Sequence, residues 1–184
     1  MGPLLVIGGL IVVIVLVFVV LYNGLVKQRN NCDKSWAQID VQLKRRHDLI
    51  PNLVETVKGY AKHEQGTLDQ VIKARNMAMS ASGVHDTAEA ENMLSGALKS
   101  IFALSEAYPD LKANTNFLEL QEELTSTEDR VAYSRQFFND AVLHYNNKIQ
   151  TIPSNIIAKM FSFAEREFFE LDVPEARQAP KIEF

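Results

Sequence analysis

One cysteine, one tryptophan, six prolines and eight glycines are all that the 184 residues supply of these types. Each scarcity closes off a class of protein. Cys32 alone forms no intramolecular disulfide and no cysteine-built zinc site, which needs three or four converging ligands. It fits a reducing compartment. The four histidines, His47, His63, His85 and His144, include no i, i+4 pair and no Glu-x-x-His motif of the kind that di-metal carboxylate bundles use. There is no glycine-rich phosphate loop, Gly-x-Ser-x-Gly elbow or dinucleotide fingerprint. Period-two alternation is absent over any length that would make a sheet. Positive charge is in deficit as well: 19 Lys and Arg against 23 Asp and Glu leave −4, the wrong sign for a general nucleic-acid binder. The expectation is an all-α protein with no catalytic residue, cofactor, metal or nucleic-acid partner.

The segment Met1–Val26 lacks charge altogether, and "LLVIGGLIVVIVLVFVVLYNGLV" makes up most of it. A run of roughly 20 apolar residues is what a helix needs to cross a bilayer. A cleaved signal peptide would bring a basic start, a shorter apolar core and a small-residue cleavage site. None of these is present, so residues 1–26 are expected to be a single-pass anchor in contact with membrane lipids. Lys27, Arg29 and Lys34 follow the run and no basic residue precedes it. The positive-inside tendency then puts the N-terminus outside and the body in the cytoplasm. Tyr22 falls at the interface, and Cys32, unique and close to the membrane, offers a labelling site for topology.

Beyond Val26 the pattern is helical. Helical stretches are expected over Leu25–Ser80, Thr87–Tyr108 and Asn116–Gln150, separated by "SASGVHD" and "YPDLKANTN", with caps among Asp86, Thr87 and Asn114 to Asn116. Over residues 27–152 they are expected to pack as an antiparallel up-and-down bundle of three or four long helices. Trp36, Ile39, Leu43, Arg46, Ile50, Leu53 and Val57 recur at the three-and-four spacing of a coiled-coil seam. The seam keeps phase across Pro51, so the proline is expected to kink a continuous helix rather than end it. A true break fits better near "KHEQG", which gives four helices instead of three.

Arg46 and His47 lie on that seam, and Thr127, Glu128, Ser134 and Arg135 interrupt the apolar stripe of the third stretch. Charges are rarely buried unpaired. Arg46, His47, Glu128 and Arg135 are therefore candidates for a polar layer that sets register, with Arg46 meeting Glu128 across a helix contact. The alternative is that these side chains flank the seam and reach water.

Residues 153–184 change character. Pro153 halts the third helix, and Ile156, Ile157, Met160, Phe161, Phe163, Phe168 and Phe169 bring a dense apolar load into a short segment. This candidate interaction segment can cover an end of its own bundle, dock on another subunit or rest on the membrane. After Val173 an extended arm is expected.

The blocks "WAQIDVQLKRRHDLIPNLVETVKGYAKHE" and "YPDLKANTNFLELQEELTSTEDRVAYSRQFFNDAVLHYNNKIQTIP" resemble the bacterial LemA family, and the resemblance extends from the anchor to about Phe163. It implies a single-pass protein of the bacterial inner (cytoplasmic) membrane with a helical body, and it carries over no catalytic residue. Two functions follow. One is a non-catalytic scaffold that self-associates into a homo-oligomer at the membrane, organising or shaping it. The other is an adaptor or regulator of another membrane protein, such as a peptidase or sensor kinase.

Overall fold

The structure, a computed structural model, describes residues 2–170. Among the described residues every regular element is a helix, in the order α1 (Gly2–Tyr60), α2 (Gln65–Ser80), α3 (Val84–Ser105), α4 (Pro109–Lys112), α5 (Thr115–Gln150) and α6 (Ser154–Met160). They form two compact units, residues 2–40 with 133–168, and 41–132 with 169–170. The extended arm expected after Val173 lies outside the described residues.

In the first unit α1 begins as a helix long and apolar enough to cross a membrane. From Leu5 to Val20 every side chain but that of Phe18 is exposed, as suits a helix whose neighbours are lipid tails. Inward packing starts at Leu25, and Leu25, Cys32 and Ile39, seven residues apart, are fully buried. Burial makes Cys32 a poor reporter of topology, contrary to its promise in the sequence. On α5 the buried stripe is Phe138, Val142, Tyr145 and Ile149, and Trp36 meets Phe138 edge to face with centroids 5.2 Å apart. Gly24 faces Lys148 of α5: a Cβ there would lie 2.6 Å from Lys148 Nζ, the flexible end of a side chain that can swing aside.

The second unit has its core where Ile50, Leu53 and Val57 of α1 join Leu68 and Val71 of α2, Leu94, Leu98 and Ile101 of α3, and Phe117 and Leu124 of α5. Small residues on the facing stripes of α2 and α3 (Ala74, Ala78 and Ala90) complete it. The α2–α3 turn runs through Gly83 at φ +85°, a conformation that favours glycine. Asp86 in the first turn of α3 complements the helix dipole. Pro109 opens α4 at a position where its missing N–H is harmless. Asn114 caps α5, its Oδ1 accepting from Phe117 N at 3.0 Å.

Two expectations about the first stretch meet different fates. It does not run to Ser80 as one helix: it breaks at residues 61–64, at the "KHEQG" run as the four-helix alternative expects, and Gly66 lies inside α2. The cause is the polar run Lys62, His63 and Glu64, which offers nothing to bury after Ala61 and lets the chain reverse. Turning here returns Leu68 and Val71 to the core that holds Val57. At Pro51, by contrast, α1 continues as helix. Proline has no N–H, so the carbonyl of His47 one turn earlier loses its helical donor. Arg75 of α2 replaces it, Nε donating to His47 O at 2.7 Å.

Candidate functional site

The second unit buries a charged cluster in its helix seam. α1 turns Arg46 and His47 inward, and α3 brings up Glu91; Arg46 and Glu91 are each only 3% exposed. Arg46 Nη1 donates to Glu91 Oε2 at 3.0 Å, and His47 Nε2 lies 2.5 Å from Glu91 Oε1. Arg46 Nη2 donates to Ser95 Oγ at 2.8 Å and pairs with Glu128 Oε2 of α5. Nearby, Arg45 and Glu123 add a surface pair at 2.7 Å.

The seam pattern pointed to Arg46, His47 and Glu128, and these three come together in the structure. Glu128, however, keeps half of its side chain in solvent. The buried carboxylate is Glu91, which the reading of the sequence missed. Its signal was present: Thr87, Glu91, Leu94, Leu98 and Ile101 are all buried at helical spacing on α3, so a carboxylate sits in an apolar stripe. Arg135 belongs to the first unit, where it is half-buried. Thr127, also buried, satisfies its hydroxyl on its own helix by donating to Glu123 O at 2.7 Å.

Glu91 engages both oxygens, one on Arg46 and one on His47, while Arg46 Nε is buried without a hydrogen-bond partner. Among the described residues no group of three or more His, Cys, Asp or Glu is placed to hold a metal. What the arrangement does is tie α1, α3 and α5 together by contacts that a shift of one helical turn would break. Desolvation offsets much of the attraction in a buried pair of this kind.

The aromatic segment as far as Phe168 lies in the first unit, and Phe169 belongs to the second. Ile157 and Ala158 of α6 are buried, whereas Ile156, Met160 and Phe161 are exposed and Phe163 is half-buried. The Phe161 ring lies 5.8 Å from that of Phe18 and 4.8 Å from that of Tyr22, and Phe163 lies 6.0 Å from Tyr22. α6 ends in a Schellman motif: Phe163 N donates to Ala158 O at 2.9 Å across Ser162, whose φ of 54° fills a place that usually takes glycine.

The chain beyond is held by α5. Tyr145 donates to Ala164 O at 2.9 Å, and Asn146 exchanges two hydrogen bonds with the Arg166 backbone at 2.9 and 3.0 Å. Burial pushes the Tyr145 phenol above its ordinary pKa, which keeps it a donor. Arg166 reaches Asp33 at 2.7 Å and Arg29 lies over the Phe163 ring at 5.3 Å. Of the remaining aromatic candidates, Phe169 is buried and Phe168 exposed.

Comparison with known proteins supplies relatives of two kinds. Protein LemA of Metamycoplasma hominis is 27% identical over 168 residues, covering 84% of this chain and 75% of its own length. Magnetosome protein MamQ 2 of Paramagnetospirillum magneticum is 23% identical over 81% of this chain, and magnetosome protein MamQ of Magnetospirillum gryphiswaldense is 23% identical over 80%. The matched region spans 64% of each magnetosome protein's length. None of these relatives is named for a catalytic activity. The model of the LemA family matches residues 35–184, a stretch that begins within α1 and takes in the charged cluster and the aromatic segment; the chain belongs to the LemA family.

Proposed function

We propose that this protein is a non-catalytic, membrane-anchored scaffold that self-associates into a homo-oligomer at the bacterial cytoplasmic membrane, organising or shaping it. Its helices pack as an antiparallel up-and-down bundle, with the N-terminus outside and the body in the cytoplasm. The observation that carries this reading is the continuity of α1 through Leu25. The apolar run passes into the packed body with no linker, so in the first unit each body is fixed to its own anchor and copies can associate in register. An adaptor reaching for partners at varied distances gains from a flexible tether instead. Tyr133 and Phe137 add support. They lie one turn apart on α5, 66% and 64% exposed, and give the body an apolar patch for a neighbouring copy.

The decisive experiment is the mass distribution of the detergent-extracted full-length chain, alone, beside a version lacking residues 1–26 and a Tyr133→Ser/Phe137→Ser variant. Discrete large particles that shrink in the double variant support the scaffold. A monomer or dimer in every sample overturns it in favour of the adaptor. Topology is tested in a Cys32→Ser background through Asn30→Cys, an exposed position. Labelling of intact cells by an impermeant maleimide would contradict a cytoplasmic body.

A further inference from the structure

We propose that α6 is a second membrane contact, its outward face and Phe161 lying in the headgroup-to-acyl boundary of the bilayer that α1 crosses. The inference rests on α1 being the membrane span. Depth is the first argument. Phe18 lies inside the uncharged run, one turn or about 6 Å inward of Tyr22. Phe161 touches both rings, so the end of α6 sits level with the last turns of the span.

The second argument is that α6 is apolar on both sides. Ile157 and Ala158 face the protein, while Ile156 and Met160, one turn apart, are 57% and 64% exposed. Ile152, in the turn just before α6, is also exposed. An apolar strip left outward on a helix that already buries its other apolar side calls for a cover of protein or lipid, and the ring contacts of Phe161 bring this one beside the last turns of the span. The third argument is the polar rim. Lys159 sits between the exposed apolar residues and Arg29 lies over Phe163. Long basic side chains at this level extend to headgroups while their stems and neighbours stay in hydrocarbon.

The test uses the full-length chain with Cys32→Ser and one of Met160→Cys, Val13→Cys or Gln136→Cys, each carrying a nitroxide. It is reconstituted in vesicles of phosphatidylcholine and phosphatidylglycerol. Collision with oxygen, which concentrates in lipid, is compared with collision with a water-soluble nickel chelate. The expected result is an oxygen-to-nickel ratio at position 160 several-fold above that at 136, an exposed site on the body, and close to that at 13. If 160 behaves like 136 while 13 reports lipid, the α6 contact is overturned and the anchor stands. Should 13 also behave like 136, both fall. A label at 160 that neither reagent reaches means that another protein surface covers α6, and that too overturns the proposal.

Discussion

Pro51 and Arg75 form a pair whose energetics can be separated. The proline removes the donor to His47 O, and Arg75 Nε takes its place at 2.7 Å. A hydrogen bond from a charged donor is worth about 1.5–3 kcal/mol, and an orphaned, partly buried carbonyl costs about 1–3 kcal/mol. Arg75→Ala should therefore destabilise the second unit by about 2 kcal/mol. Pro51→Ala restores the N–H and relieves the ring's crowding. The interior-proline penalty of about 3 kcal/mol is offset by up to about 1 kcal/mol of added unfolded-chain entropy, for a net gain of about 2 kcal/mol. In that background the carbonyl already has a partner, so Arg75→Ala should cost only about 1 kcal/mol, and the cycle should close with about 1 kcal/mol of coupling. The assay is guanidinium unfolding of the detergent-solubilised full-length chain, followed by far-UV circular dichroism for the wild type, both single variants and the double. If Arg75→Ala costs the same in both backgrounds within about 0.3 kcal/mol, the two residues act independently and the substitution of one donor for the other is wrong.

Glu91→Gln should cost about 3 kcal/mol, because it leaves the buried Arg46 without its buried counter-charge, whereas Glu128→Ala, half in solvent, should cost about 1 kcal/mol or less. Equal losses by thermal unfolding would show that Glu91 is not the anchor of the cluster. Asn146→Ala removes both bonds to the Arg166 backbone and should cost about 1–3 kcal/mol; hydrogen exchange at the Arg166 amide should quicken markedly, while exchange within α3 stays unchanged. Burial raises the Tyr145 phenol above 10.0, so the folded chain keeps a proton that the unfolded chain gives up first. Stability from this group is full below the ordinary tyrosine pKa and is lost as pH rises from there through the raised pKa of the folded chain, and Tyr145→Phe should flatten that alkaline decline in an unfolding series across pH.

Much of this structure is legible in the sequence because helix periodicity and the uncharged run are strong local signals. The seam from Ile39 to Val57 and the stripe from Phe117 to Ile149 appear as the spacing predicts, and the Pro51 phase argument correctly gave a continuous helix. What the sequence does not disclose depends on who meets whom. The buried carboxylate is Glu91 rather than Glu128 because α3 turns its stripe toward Arg46, and no spacing within α1 or α5 reports that. Cys32 looked accessible from its position near the membrane, yet the seven-residue spacing with Leu25 and Ile39 had already placed it inward. The break at residues 61–64 is a compromise between a polar run that permits a turn and a core that rewards one, and only the packed structure shows which residue ends the helix. The Phe-rich segment was read as apolar load without an address. Its contacts with Phe18 and Tyr22 join residues more than a hundred positions apart, beyond the reach of any local pattern.

The charged cluster also bears on the order in which the chain takes shape during synthesis. Arg46 leaves the ribosome before its partners exist: Glu91 follows 45 positions later, and Glu128 later again. Until then the inward face of α1 carries a cation that no hydrophobic neighbour can cover without stripping it of water. That face stays hydrated and resists premature collapse onto α2, which is made first but supplies no acid to the cluster. Until α3 arrives with the counter-charge, closing the second unit around Arg46 carries the cost of an unpaired buried cation.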